Sequence, residues 1–379
     1  NSIALVCVFD AGSGQTNSTG VFVSSTEVIC TSPAYPSTKN TASVTVANSI
    51  NGALPAGIAL AVVHPALLSV FPTQIPLLGG STLTVTGQNF ALTTFSACSF
   101  DGVLAAVEFV NATTLYCTAP AQATTGARLF RLITSIGNET ATALIVHYVP
   151  TPEVTSLNPK CGLISGGTLL TVYGTNFIAG DTYCRFVLYK LGQTFDVLAS
   201  FVSAREITCP TPIVAAAAEA LVFARLVNAL PDLNSGRYFT FVGVPSVASL
   251  SPAFGAVGLA HTITLSGVNF NADDSVKVNG VLSATLMFSS TLLQVSITAA
   301  QVPSVGLASL QISPNNQDFF PIAQQFRVTA APSFHSRSPS LGSRAGGSSV
   351  LIFGANFEAD SSSVCMFDFS LVPAQFVNA

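Results

Sequence analysis

The chain has 379 residues, a formal net charge of −4 and only 8% charged residues, against roughly 25% in an ordinary soluble domain. Its thirteen basic residues, only four of them lysine (Lys39, Lys160, Lys190 and Lys277), are scattered singly and leave no footprint for a phosphate backbone, which excludes nucleic-acid binding. A membrane-spanning helix is excluded because the most apolar run, Ala53 to Phe71, is broken by Pro55, Gly57, His64 and Pro65, and a second, Val214 to Val227, is short and holds Glu219 and Arg225.

The N-terminal stretch opens in mid-repeat. Cys7-Val8-Phe9-Asp10 matches Cys98-Ser99-Phe100-Asp101 and Cys365-Met366-Phe367-Asp368, so residues 1–64 are expected to be a part-domain entered near its third strand. A fixed block follows. Pro65 and Pro72 precede Gly79-Gly80 and then Gly87-Gln88-Asn89-Phe90. The block returns as Pro152, Pro159, Gly166-Gly167 and Gly174-Thr175-Asn176-Phe177. It recurs as Pro245, Pro252 and Gly267-Val268-Asn269-Phe270, then as Pro332, Pro339, Gly346-Gly347 and Gly354-Ala355-Asn356-Phe357. The second Pro stands 18 positions before the Phe in every copy, and the Phe residues are 87, 93 and 87 apart. That pattern marks tandem domains rather than the shorter period of a solenoid. The expected domains are 65–150, 151–243 and 244–330, with part-domains at 1–64 and 331–379. No signal peptide is visible, and the array is expected to continue past both ends.

Within each repeat the strands are short and β-branched. Leu83 to Thr86, Leu169 to Tyr173 and Ile263 to Ser266 each precede a Gly-x-Asn turn. The Phe after the Asn is expected to plug the core, and the Gly ahead of it to sit at positive φ or where backbone passes close by. Ala215 to Ala220 could pass for helix on propensity. Its alignment with Ala123 to Leu129 places it in the turn before a strand, Leu221 to Leu226. The junctions at Val149 to Pro152, Val242 to Pro245 and Val328 to Pro332 are short and Pro-bearing, so stiff coupling into a rod is expected.

These blocks resemble the IPT/TIG domain, an immunoglobulin-like module marked by a Gly-Gly-Thr strand and a following Gly-x-Asn-Phe. Leu163 to Phe177 is the best copy and Leu78 to Phe90 is nearly as good, whereas the fourth domain has Gly258-Leu259 where the Gly pair belongs. The resemblance covers essentially the whole chain and implies an all-β fold: tandem immunoglobulin-like antiparallel β-sandwiches. The module occurs in cell-surface receptors such as plexins, in transcription factors, beside the catalytic domains of some starch-acting enzymes, and in large secreted arrays. Fold does not choose among these. The charge content argues against the transcription-factor use, and the uninterrupted repeat against the enzyme accessory.

Cysteines fall at matched repeat positions, Cys7 with Cys30, Cys98 with Cys117 and Cys184 with Cys209, while the fourth domain carries Val276 and Val295 at both equivalent sites. Paired loss is what a disulfide predicts, because a surviving half would be a free thiol. Cys161 has no counterpart, and Cys365 is expected to pair beyond residue 379. Zinc is not expected, for want of a Cys-x2-Cys pair. Asn17, Asn111 and Asn138 open glycosylation sequons, which with the disulfides favour an extracellular or cell-surface location.

No catalytic constellation is present. His64, His147, His261 and His335 stand apart near domain edges. Asp181, Asp273, Asp274 and Asp360 each follow the Asn-Phe motif by three or four positions and read as turn residues rather than calcium ligands. No enzyme activity, cofactor or metal is expected. The expected function is a structural or adhesive extracellular repeat protein, a subunit of a glycosylated filament, sheath or surface hair. Its partners would be copies of itself or related repeat chains, with covalent glycans covering a charge-poor surface. The competing reading is the stalk of a cell-surface receptor for a protein or glycan partner.

Overall fold

The computed structural model describes residues 5–10, 12, 14–33, 41–48, 52–53, 58–61, 65–91, 94–135, 137–140, 142–230, 233–357 and 364–377. Among them the regular structure is strand throughout, apart from two single 3-10 turns, Tyr189–Leu191 and Ala299–Gln301. The chain divides into two compact units, Asn1–Pro150 with Val227–Leu230, and Thr151–Leu226 with Pro231–Ala379.

In the second repeat one sheet orders Val107–Asn111, Thr114–Thr118, Thr82–Gln88 and Ala66–Phe71. The other orders Val103–Ala105, Phe95–Phe100, Gly126–Thr134, Leu144–Val149 and Gln74–Pro76. The last pair is parallel and the rest are antiparallel. Alternation decides which face is buried: in Thr82–Gln88, Leu83 and Val85 point inward and are fully buried, while Thr82 is exposed and Thr84 half-buried. They meet Phe100, Phe130, Leu132 and Tyr148 from the opposite sheet, with Phe100 and Phe130 edge to face at 5.2 Å between centroids.

The third repeat has the same plan. Glu153–Asn158, Leu169–Thr175, Glu206–Pro210 and Ser200–Ser203 form one sheet. Cys161–Leu163, Arg237–Val242, Ala218–Leu226, Thr182–Leu188 and Gln193–Leu198 form the other. The segment with helical propensity is strand from Ala218 onward, three residues earlier than its alignment suggests. Pairing with Arg237–Val242 begins at Ala218 opposite Phe241, and Ala220 buries in the core opposite Phe239.

The fourth repeat differs in one strand. Val281–Ser289 pairs with Ser275–Val278 over its first three residues and with Leu292–Ile297 over the remainder, so it runs through both halves of the sandwich. The equivalent stretch is divided at Ala106 in the second repeat and at Ala199 in the third. Val276 and Val295 are fully buried in this core, beside Ile263, Leu265 and Phe326.

In the N-terminal segment Glu27–Cys30, Gln15–Ser24, Leu5–Asp10, Thr41–Asn48 and Gly52–Ala53 form one sheet in that order, and Ile58–Ala61 also pairs with Thr41–Asn48. The C-terminal segment holds two pairs, Ser333–Ser338 with Leu351–Ala355 and Val364–Phe367 with Ser370–Pro373.

Candidate functional site

The Gly-x-Asn-Phe motif performs three tasks at one turn. Phe90, Phe177 and Phe270 are each 3% exposed and plug their cores. The left-handed residue is the Asn, not the Gly: Asn89, Asn176, Asn269 and Asn356 have φ between 59° and 64°. The Asn amide then reaches back to the chain's entry into the domain, where Asn176 Nδ2 donates to the Thr151 carbonyl at 3.0 Å, Asn269 to Val244 at 2.9 Å and Asn356 to Ala331 at 3.1 Å. The Gly is there for space. A Cβ at Gly174 would strike the Glu153 carbonyl and the Phe177 ring, and Gly87, Gly267 and Gly354 meet the equivalent atoms. Of the two readings of that Gly, close backbone approach is the one the structure selects.

Cys7–Cys30, Cys98–Cys117 and Cys184–Cys209 are disulfide-bonded, with Cα atoms 5.8, 6.2 and 6.4 Å apart. The latter two tie one sheet of a sandwich to the other. Cys161 and Cys365 are free thiols.

The three sequon asparagines are exposed. Asn17 lies on Gln15–Ser24. Asn111 ends Val107–Asn111, and its Oδ1 accepts from both the N–H and the hydroxyl of Thr113, the sequon threonine, each at 2.9 Å. Asn138 sits in a tight turn, where its carbonyl accepts from the Thr134 amide at 2.8 Å.

The remaining singled-out residues do not converge. His147 and His335 are exposed, and His261 packs on Phe326 while its Nε2 hydrogen-bonds the Ala256 carbonyl at 2.7 Å. His64 and Asp360 lie outside the described residues. Asp181 and Asp273 are turn residues, and Asp274 is buried. Among the described residues no group of three or more His, Cys, Asp or Glu is placed to hold a metal ion.

Two polar clusters were not identified from the sequence. On the outer sheet face of the third repeat, Arg185 and Arg225 both chelate Asp196, with Nε and Nη2 of each donating at 2.8 to 3.0 Å. Burial opposes the charge on Asp196, but the hydrogen bonds from Arg185 and Arg225 outweigh it and hold the carboxyl at about 2.

The second cluster joins the third and fourth repeats inside one compact unit. Cys161 donates its thiol to the Pro314 carbonyl at 3.0 Å, and Asn315 Nδ2 returns a bond to the Cys161 carbonyl at 3.2 Å. Asp318 Oδ2 accepts from the Thr168 hydroxyl at 2.6 Å and from Asn315 Nδ2 at 2.9 Å. Cys161, Thr168, Ser313 and Asn315 are all buried there. Burial, with Asp273, Asp274 and Asp318 nearby, pushes the Cys161 thiol up to about 12, so it is an unreactive donor rather than a nucleophile. The lack of a repeat counterpart for Cys161 was the one mark in the sequence that pointed here.

The IPT/TIG domain pattern matches residues 65–145, 152–229 and 245–328, together more than half of the chain. In sequence the chain is similar to Plexin-A3 of Rattus norvegicus, 26% identical over 215 residues, which is 54% of this chain and 11% of plexin-A3. It therefore spans about a tenth of the length of that curated relative. Among solved structures it is similar to the full extracellular region of Plexin A4, with 15% identity, a TM-score of 0.37, and coverage of 99% of this chain and 39% of that one. It is also similar to invasin, a bacterial integrin-binding protein, with 13% identity, a TM-score of 0.26, and coverage of 90% of this chain and 75% of that one.

Proposed function

The chain belongs to the IPT/TIG domain family, and on that premise we propose that it is a stretch of the ectodomain stalk of a cell-surface receptor. The observation that carries this reading is the run of consecutive IPT/TIG domains with sequence likeness to a plexin over more than half of the chain. Disulfides support the extracellular side, since such bonds persist in oxidising compartments. The role is to space and present, with a protein or glycan partner as ligand and no catalysis. Glycans on Asn111, Asn138 and Asn17 would cover part of a surface poor in charge.

A filament of copies is the competing reading, and the relatives lend it no support. Sedimentation of the secreted, glycosylated chain over a wide concentration range separates the two. A monomer at every concentration is expected, and reversible growth into ordered polymers would overturn the stalk.

A further inference from the structure

We propose that the third and fourth domains are latched into one rigid pair by the Thr168–Asp318–Asn315–Cys161 cluster, a set of side-chain bonds that the sequence of the other repeats does not reproduce. The inference stands whether the chain is a receptor stalk or a filament subunit.

The loop 313–318 is built before it meets its partner. Asn315 Oδ1 accepts from the Ser313 hydroxyl at 3.1 Å, from Gln317 N at 3.0 Å and from Asp318 N at 2.9 Å. Phe319, next in the chain, lies under the Lys277 ammonium, 3.6 Å from Nζ to the ring centroid. The loop therefore loses little freedom when it docks. On the other side Thr168 is equally fixed, its N–H donating to Thr211 Oγ1 at 3.1 Å and its Oγ1 accepting from Leu163 N at 3.3 Å. Two preformed surfaces meet through three bonds, one of them to a carboxylate, with their donors and acceptors matched.

Opening that joint is costly in a particular way. The Thr168 hydroxyl, the Cys161 carbonyl and one Asp318 oxygen would all lose partners, and charge-assisted hydrogen bonds are among the stronger ones. The fit is also specific. At the position of Thr168 the other repeats carry Ser81, His261 and Ser348, and at that of Cys161 they carry Gln74, Phe254 and Leu341. None of those repeats has both the hydroxyl and the thiol of the third.

Cys161 supplies the readout, because the residue is 3% exposed and its thiol is bonded to Pro314 across the joint, so alkylation is expected only when the joint opens. The experiment uses the full chain with Cys365→Ser, so that Cys161 is the single free thiol, and follows maleimide labelling of the native protein. Slow labelling is expected in this parent. Thr168→Val, which removes the hydroxyl and keeps the shape, should label at least about tenfold faster, as loss of a bond to a half-buried carboxylate implies. Thr168→Ser should restore protection, and Asp318→Asn should behave like Thr168→Val. Thermal unfolding of the third domain, followed in parallel, should stay within the parent's range in Asp318→Asn, whose changed side chain lies on the fourth domain and leaves the Leu163 to Thr168 bond in place, which separates joint opening from local unfolding. Equal labelling rates in the parent and Thr168→Val, or labelling of the parent as fast as of denatured chain, would overturn the latch.

Discussion

Replacing Gly174 by Ala tests whether close approach, rather than backbone conformation, is what the motif glycine provides. The new Cβ would meet the Glu153 carbonyl and stand 2.5 Å from Cζ of Phe177. Neither neighbour yields easily, since Glu153 belongs to a paired strand and Phe177 plugs a packed core. Overpacking of this kind costs about 1–3 kcal/mol, and shifting the paired strand forfeits about 1 kcal/mol more. Restricting the unfolded chain returns about 0.4–1 kcal/mol. The net loss is about 3 kcal/mol at the upper end of that range. Gly180 is the control: its φ is +79° and a Cβ there meets nothing within 4 Å. Gly180→Ala should therefore cost about 1 kcal/mol, through the left-handed penalty alone. Calorimetry of the full chain should show the transition carrying the third domain lowered by up to about 6–12 °C in Gly174→Ala, given 2–4 °C per kcal/mol for a unit of 150–250 residues. A larger shift in Gly180→Ala than in Gly174→Ala would refute the reasoning.

The fourth domain should accept the cross-link it lacks. Val276 and Val295 are 19 residues apart, as are Cys98 and Cys117, so Val276→Cys with Val295→Cys should form a disulfide by non-reducing peptide mapping and stabilise that domain by about 3 kcal/mol. Burial, with Asp273 adding to it against the Asn271 hydrogen bond, lifts the Asp274 carboxyl from 3.8 to about 7. The folded state then holds a proton that the unfolded state has lost, so stability is full below pH 4 and falls as pH rises to about 7, by at most about 1.4 kcal/mol per unit. Urea midpoints across that window should show the slope in the wild type and lose it in Asp274→Asn. Glycopeptide mass spectrometry of secreted material should find sugar on Asn111 and Asn138, and three bare sites would remove glycan cover from the account.

The sandwiches were legible because their signals are local. Gly-Gly, Gly-x-Asn-Phe and the alternating Leu83-Thr84-Val85 each state a turn or a face within a few residues. The matched cysteines worked over longer range only because the repeat supplied the alignment. The roles inside the motif were less legible: Gly is the usual occupant of positive φ, yet here Asn holds it and Gly yields its volume to a carbonyl 21 residues upstream. The latch was not legible beyond the unmatched Cys161. Cys161 and Pro314 are 153 residues apart, and Ser313-Pro314-Asn315-Asn316 reads as any polar turn until the neighbouring domain is placed against it. The same holds for Arg185, Asp196 and Arg225, which alternation puts on one face but does not pair.

The strand Val281–Ser289 has a bearing on how the fourth domain reaches its native state. It enters through the two-residue hairpin Asn279-Gly280, where both residues have positive φ, at 49° and 83°, as a type I′ turn requires. That hairpin and the turn that follows between Ser289 and Leu292 are the most local pairings in the domain, and loop closure favours their forming early. Because the strand continues into the opposite half of the sandwich, the register set at Asn279-Gly280 is carried on to Leu292–Ile297. A slip of one residue at the hairpin would turn Ser283, Thr285 and Met287 outward. Two tight turns on one strand thus govern the alignment of both halves, so errors there halt assembly of the whole domain instead of one edge.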